Sequence, residues 1–195
     1  MYLMAHAGIT VGAAYLIEKV VNCRLSGDRP AAGKGSGSET RAPLRIDYRF
    51  ILLGSLLPDL IDKPLGYILL PDVLGSGHIF LHTLLFLLLT LLAAALIYRQ
   101  QGKLWGFYIA FGVLTHLIMD AMWNDPVTLF WPFLGAFHTR PGTTFTWIVQ
   151  SWIKSFLEEP RLYIIEAAGF LILLFFSARL IIQKRIKAFI TTGYL

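Results

Sequence analysis

The sequence predicts an all-α fold: a polytopic membrane helix bundle of about five membrane segments, with one further helix at the interface. Three observations lead there. Of the 195 residues, 56% are hydrophobic and 15% charged, with a mean hydropathy of +0.62, outside the range of a water-soluble domain. Apolar runs long enough to cross a bilayer recur along the chain. Aromatic residues collect at the ends of those runs and in one segment between them, where the headgroup layer takes amphipathic rings. The length suits a single membrane-embedded domain over 1–195.

In chain order, Ala5 to Val21 is a Gly-rich apolar stretch ending in Glu18 and Lys19, expected to cross obliquely or lie in the interface. Asn22 to Arg49, with its tract Gly33-Lys34-Gly35-Ser36-Gly37-Ser38, reads as a flexible basic loop. Tyr48 to Leu70 is apolar apart from Asp59, Asp62 and Lys63, and Pro58 and Pro64 are expected to kink or break it. His78 to Tyr98 is the clearest span: Thr83 to Tyr98 carries no charge, and the 21 residues reach across a hydrocarbon core of about 30 Å. Leu104 to Trp123 follows, bracketed by Trp105 and Trp123 and interrupted only by His116 and Asp120 near its end. Residues 124–160 are crowded with aromatics and read as a belt in the outer leaflet, with Phe145 to Leu157 an interfacial helix. Leu162 to Ile182 is the last span, with Glu166 and Arg179 expected to snorkel from its ends.

Charge sets the orientation. Arg24, Arg29, Lys34, Arg41, Arg45, Arg49, Arg99, Lys103, Lys184, Arg185 and Lys187 would be cytoplasmic, against Lys63, Arg140, Lys154 and Arg161 outside. Five crossings with the N-terminus outside and the C-terminus cytoplasmic satisfy the positive-inside rule. The net charge of +5 is thereby accounted for without nucleic acid. The first charge is Glu18, so the start lacks the basic region of a signal peptide and reads as mature sequence. Cys23 is the sole cysteine, which excludes an intramolecular disulfide and a Cys-based zinc knuckle; a metal here needs His and carboxylate ligands.

Such ligands stand at helical spacings. His116 and Asp120 are four apart and project from one face; His78 and His82 repeat the spacing; Asp59 and Asp62 are three apart after Pro58. An ionisable group inside a span costs about 2.5–3.5 kcal/mol, so several imply pairing, a cavity or a metal. The orientation, which used none of them, puts His6, Asp59, Asp62, His78, His82, His116 and Asp120 all in the outer half. Mixed imidazole and carboxylate ligands suit a divalent transition metal, Zn²⁺ first, then Mn²⁺ or Fe²⁺. The bland readings are interhelical hydrogen bonds for the histidines and a helix end for the aspartates. Asp72, Asp125, Glu158 and Glu159 read as interfacial and solvated.

The ordered set Ala5-His6-Ala7-Gly8, Gly54-Ser55-Leu56-Leu57-Pro58-Asp59-Leu60-Ile61-Asp62, His78-x-x-x-His82-Thr83, Thr115-His116-Leu117-Ile118-Met119-Asp120 and Phe130-Trp131-Pro132-Phe133 resembles the YdjM-like membrane-bound metal-dependent hydrolases of the bacterial inner membrane. The likeness spans most of 1–137, and its H-x-x-x-D pattern is similar to that of zinc-dependent phospholipases C and P1-type nucleases. It implies His6, Asp59, His82, His116 and Asp120 as ligands. The sequence departs from the family pattern at Lys63, where an imidazole often stands, and at Ile79, where an arginine is common.

The resulting expectation is a metal-dependent hydrolase of an ester, foremost a phosphoester of a lipid or other amphiphile. His82, His116, Asp59 and Asp120 would hold the ion, with His6 and His78 as further ligands, Asp62 as base or bridging ligand, and Arg140 neutralising a phosphate. Two other classes remain open. Gly75-Ser76-Gly77-His78 followed by His116-x-x-x-Asp120 resembles the last motifs of phosphatidate-phosphatase-type enzymes, although no arginine precedes His116 at the expected distance. A non-enzymatic scaffold or regulator would instead recruit a cytoplasmic protein partner through the 22–49 loop.

Overall fold

A computed structural model of the chain describes residues 3–27, 42–140, 142 and 145–195. Among them the regular elements are all helical. They run α1 (Leu3–Gly27), α2 (Tyr48–Pro64) continuing into a π-helical turn (Leu65–Leu69), α3 (Leu84–Gln101), α4 (Trp105–Met119), a 3₁₀ turn (Met122–Asn124), α5 (Pro126–Leu129), α6 (Phe145–Glu158), α7 (Pro160–Ile182) and α8 (Ile186–Thr192).

Two of these, α3 and α7, are long and apolar enough to cross a membrane. At about 1.5 Å per residue α3 reaches about 27 Å and α7 about 35 Å. Leu88, Leu89, Leu92 and Leu96 of α3 and Ile164, Leu171, Leu174 and Ile181 of α7 are exposed, the outward apolar surface that a lipid environment favours. α4 is apolar but has only 15 residues, short of a full core by itself. α1 has the length but carries charged residues, and α2, at 17 residues, is shorter than α3 and charged as well.

α2 packs on α4 and α1, α1 on α7, and α3 on α4. Small residues set these distances. A Cβ on Gly54 would collide with the Ile109 carbonyl of α4, and one on Gly112 would lie 2.5 Å from the Ser55 nitrogen of α2. Backbone thus meets backbone at the α2–α4 crossing, the small-residue packing that brings helices together where hydrophobic force is weak. Around it, Val11, Ala14, Ile46, Tyr48, Ile51 and Phe176 form one buried cluster, and Leu87, Val113, Leu117 and Met122 a second. At the end of the bundle where α2 begins, α8 folds back: Gly193 O accepts from Tyr48 N at 2.9 Å, and Arg49 Nη1 donates to Ile190 O at 2.7 Å.

Several expectations change. α2 passes through Pro58 and ends only after Pro64, because its contacts with α4 outweigh the lost backbone donor. The helix expected from His78 begins at Leu84, with Thr83 as N-cap accepting from Phe86 N at 3.0 Å; residues 78–83 are loop. Helix α1 runs on to Gly27, so Asn22 to Gly27 is not loop, and Asn22 is tied to Leu44 by two hydrogen bonds. The glycine-serine tract lies outside the described residues. Glu166 does not snorkel: its carboxylate caps α1, accepting from Met4 N at 2.8 Å and Ala5 N at 3.0 Å. Arg179 donates to the Tyr15 hydroxyl at 3.0 Å. Asp125 accepts from both the backbone and hydroxyl of Thr128 and pairs with His138 at 3.3 Å. In the belt, Trp131 and Phe137 stack on one another and meet Phe80 edge-on, covering the 78–83 loop, while Phe133 and Leu134 stay exposed.

Candidate metal centre

Antiparallel neighbours deliver alternate ends to one place. The start of α1 brings His6, the end of α2 brings Asp59, Asp62 and Lys63, the loop before α3 brings His78 and His82, and the end of α4 brings His116 and Asp120. The seven residues singled out by depth therefore converge. Asp120 lies one residue past α4 but keeps the helical bond to His116 O at 3.0 Å, so both side chains share a face before Ala121, at φ 50°, turns the chain away.

At the centre, one ligand atom from each of Asp59, His82, His116 and Asp120 lies within 4.8 Å of every other. His82 Nε2 and His116 Nε2 are 3.2 Å apart. His116 Nε2 is 3.3 Å from Asp120 Oδ2 and 3.8 Å from Asp59 Oδ1. His82 Nε2 is 3.6 Å from Asp120 Oδ2 and 3.5 Å from Asp59 Oδ1. A tetrahedral ion with bonds of about 2.0–2.1 Å needs ligand atoms about 3.3–3.4 Å apart, which these five separations bracket. Asp59 Oδ1 is buried with no hydrogen-bond donor, as expected of an oxygen reserved for a cation. The donor set and its spacing fit a divalent ion.

Each imidazole is oriented from behind. His116 Nδ1 is 2.6 Å from Ser55 O, the carbonyl that the Gly112 contact brings to α4, and His82 Nδ1 is 2.7 Å from Asp62 Oδ2. With both Nδ1 protons donated outward, both Nε2 lone pairs point to the centre. Burial alone would lower the pKa of His82; the carboxylates of Asp120, Asp59 and Asp62 overcome this and raise it to about 10 in the metal-free protein. The centre is thus built to hold positive charge.

Asp62, expected as base or bridging ligand, commits one oxygen to the neighbouring loop, while its Oδ1 is buried with no hydrogen-bond partner. Its Oδ2 accepts from Ile79 N at 3.1 Å, Leu81 N at 2.9 Å and His82, and the residue is fully buried. It folds the 78–83 loop and aims His82. His6 stacks on His116 with ring centroids 4.0 Å apart and places Nε2 3.1 Å from Asp120 Oδ1. His78, 41% exposed, lies 3.8 Å from Asp120 Oδ2 and beside the His82 ring. Its nearness to His82 comes from the loop, not from a shared helix face. Arg140 is exposed, with its backbone N–H on Leu74 O at 3.1 Å, and its charge is felt at the Tyr67 hydroxyl, as is that of Asp59.

Two contributors escaped the sequence. Ser55 acts through its carbonyl, which no residue pattern announces. Lys63, whose Nζ is 2.5 Å from Asp59 Oδ2, was visible as a partner four residues on in a helix.

No curated protein and no solved structure matches the chain. The profile of the YdjM inner membrane protein family matches residues 1–186, nearly the whole length and every residue of the centre. The chain belongs to the YdjM inner membrane protein family.

Proposed function

We propose that this protein is an integral-membrane, metal-dependent hydrolase that cleaves an ester, foremost a phosphoester of a lipid or other amphiphile. The observation that carries the reading is the convergence of two oriented imidazole nitrogens and two carboxylate oxygens at tetrahedral spacing.

His82 and His116 would hold the ion through Nε2, Asp59 through Oδ1 and Asp120 through Oδ2, a set suited to Zn²⁺, with Mn²⁺ and Fe²⁺ next. When bound, such an ion acidifies water toward neutrality and polarises an ester oxygen. His6 on Oδ1 and His78 near Oδ2 flank Asp120, and each would be a further imidazole donor beside the centre. Asp62 keeps His82 in the tautomer that binds metal. Arg140, on the loop pinned to Leu74, would neutralise a substrate phosphate.

The proposed topology has five crossings, α1, α2, α3, α4 and α7, with the N-terminus outside. It is supported by the gathering of the site at one end of antiparallel helices and of Arg45 and Arg49 at the other. The exposed Trp147, Trp152, Ile153 and Leu157 of α6 suit contact with a lipid surface on the site's side.

The test is elemental analysis of the purified protein with a phospholipid hydrolysis assay. The expected result is near-stoichiometric transition metal and headgroup release abolished by a chelator. Release undiminished by the chelator would sink the mechanism and favour a phosphohistidine route.

A further inference from the structure

We infer that Lys63 grips the anionic part of the substrate, so that the centre selects phosphoryl esters bearing a negative oxygen over neutral esters. This rests on the metal-dependent reading above and names the substrate charge that reading leaves open.

Lys63, like His78, sits at the open edge of the four closed central side chains. Its side chain is 26% exposed, whereas Asp59 is 6%, Asp120 1%, and His82 and His116 0% exposed. Asp59 joins it to the centre: Oδ1 faces the two Nε2 atoms while Oδ2 takes the Lys63 ammonium. An ammonium has three donors, and a single oxygen does not exhaust them. On another side, the Trp152 ring of α6 lies with its centroid 5.9 Å from Nζ, and Tyr67 meets that ring edge-on. The cation is therefore walled by an acid and an aromatic face close to the reacting centre.

Charge placement distinguishes a clamp from a local ion pair. With a divalent ion present, the ion and Lys63 together would match the charges of Asp59, Asp62 and Asp120, so the centre is neutral before substrate arrives. Asp62 is turned to the 79–82 segment, and an ion on Asp59 Oδ1 would share that carboxylate with Lys63 and loosen its hold on the ammonium. An oxyanion arriving at the ion would lie within reach of the same ammonium.

The experiment compares Lys63→Met and Lys63→Arg with wild type, as full-length protein loaded with Zn²⁺ in detergent. Titration with inorganic phosphate probes the oxyanion. Phosphatidylcholine vesicles doped with a phosphomonoester lipid probe the same chemistry on a headgroup. All three proteins are expected to hold the same metal. Lys63→Met should weaken binding by about 10- to 100-fold and Lys63→Arg by no more than a few fold. Weakening with free phosphate assigns the clamp to any phosphoryl oxyanion; weakening seen only with vesicles assigns it to lipid headgroups. Unchanged binding by Lys63→Met, or loss of metal in that variant, would overturn the proposal and leave Lys63 a partner of Asp59 alone. Wild type that binds ion and phosphate but hydrolyses nothing would sink the hydrolase while leaving the clamp intact.

Discussion

At His82 the two ring nitrogens have separate duties: Nδ1 is committed to Asp62, and Nε2 faces His116, Asp59 and Asp120. Removing His116 or Asp120 as alanine deletes a ligand, and metal should be lost from both variants while circular dichroism shows the helices intact. Asp62→Asn keeps the shape but weakens the hold on His82; metal affinity should fall about 10- to 100-fold, read by competition with a chromophoric chelator. A proton and an ion compete for Nε2, which gives a signed pH dependence. In metal-free protein the raised pKa of His82, about 10 against 6.5 when unfolded, stabilises fully below about pH 6.5, and this is lost as pH rises toward 10. Metal binding releases that proton, so affinity should rise with pH and fall on acidification. Melting curves at about pH 6 and pH 8.5 should show the chelator-treated protein less stable at the higher pH and the gap to loaded protein wider there. A gap that narrows with pH would contradict the ligand assignment.

The α2–α4 crossing is the element on which the centre depends, because it brings Ser55 O to His116 Nδ1. Gly54→Ala or Gly112→Ala forces the helices apart; each should cost about 1–3 kcal/mol in denaturant unfolding and lower metal affinity as well. Loss of stability with unchanged affinity would detach the crossing from the site. Gly54 and Gly112 sit in plain view in the sequence, yet nothing there says which helix each one meets. The apolar helices were legible for a simpler reason: Leu162 to Ile182 nearly coincides with α7, since continuous hydrophobicity needs no knowledge of partners, whereas Leu104 to Trp123 overruns α4, which stops at Met119 before the turn at Ala121. Pro58 misled because local propensity yields to packing. His78 and His82 do meet, but through a loop wrapped on Asp62, and a spacing of four cannot distinguish that loop from a helix face. The four side chains that meet at the centre were readable by residue type and spacing. Their supporting carbonyl and the duty of Asp62 were not, since both arise from contacts between distant segments.

For the whole molecule, the proposed topology puts two chemically different ends on opposite sides of the membrane, and each end can be probed. Cys23 is exposed near the end of α1, opposite the metal centre. As the sole thiol it should react with an impermeant maleimide only after the membrane is permeabilised. A cysteine at Thr139, exposed on the site's side of the chain, should label in intact cells when placed in a Cys23→Ser background. The proposed topology also sets where a substrate would be met. His6, Asp59, His82, His116 and Asp120 occupy one end of the bundle, and α6, with Trp152 beside Lys63, connects that end to an exposed apolar face. In that topology a lipid approaching along α6 would reach Lys63 and the centre from the outer leaflet, headgroup first. Uniformly oriented vesicles carrying labelled lipid in one leaflet at a time should release headgroup from the outer leaflet alone, and only with metal present. Arg140→Ala should chiefly raise KM, whereas Asp59→Asn should lower kcat through weaker metal binding. Release confined to the cytoplasmic leaflet would invert the topology and separate the aromatic helix from the approach of the substrate.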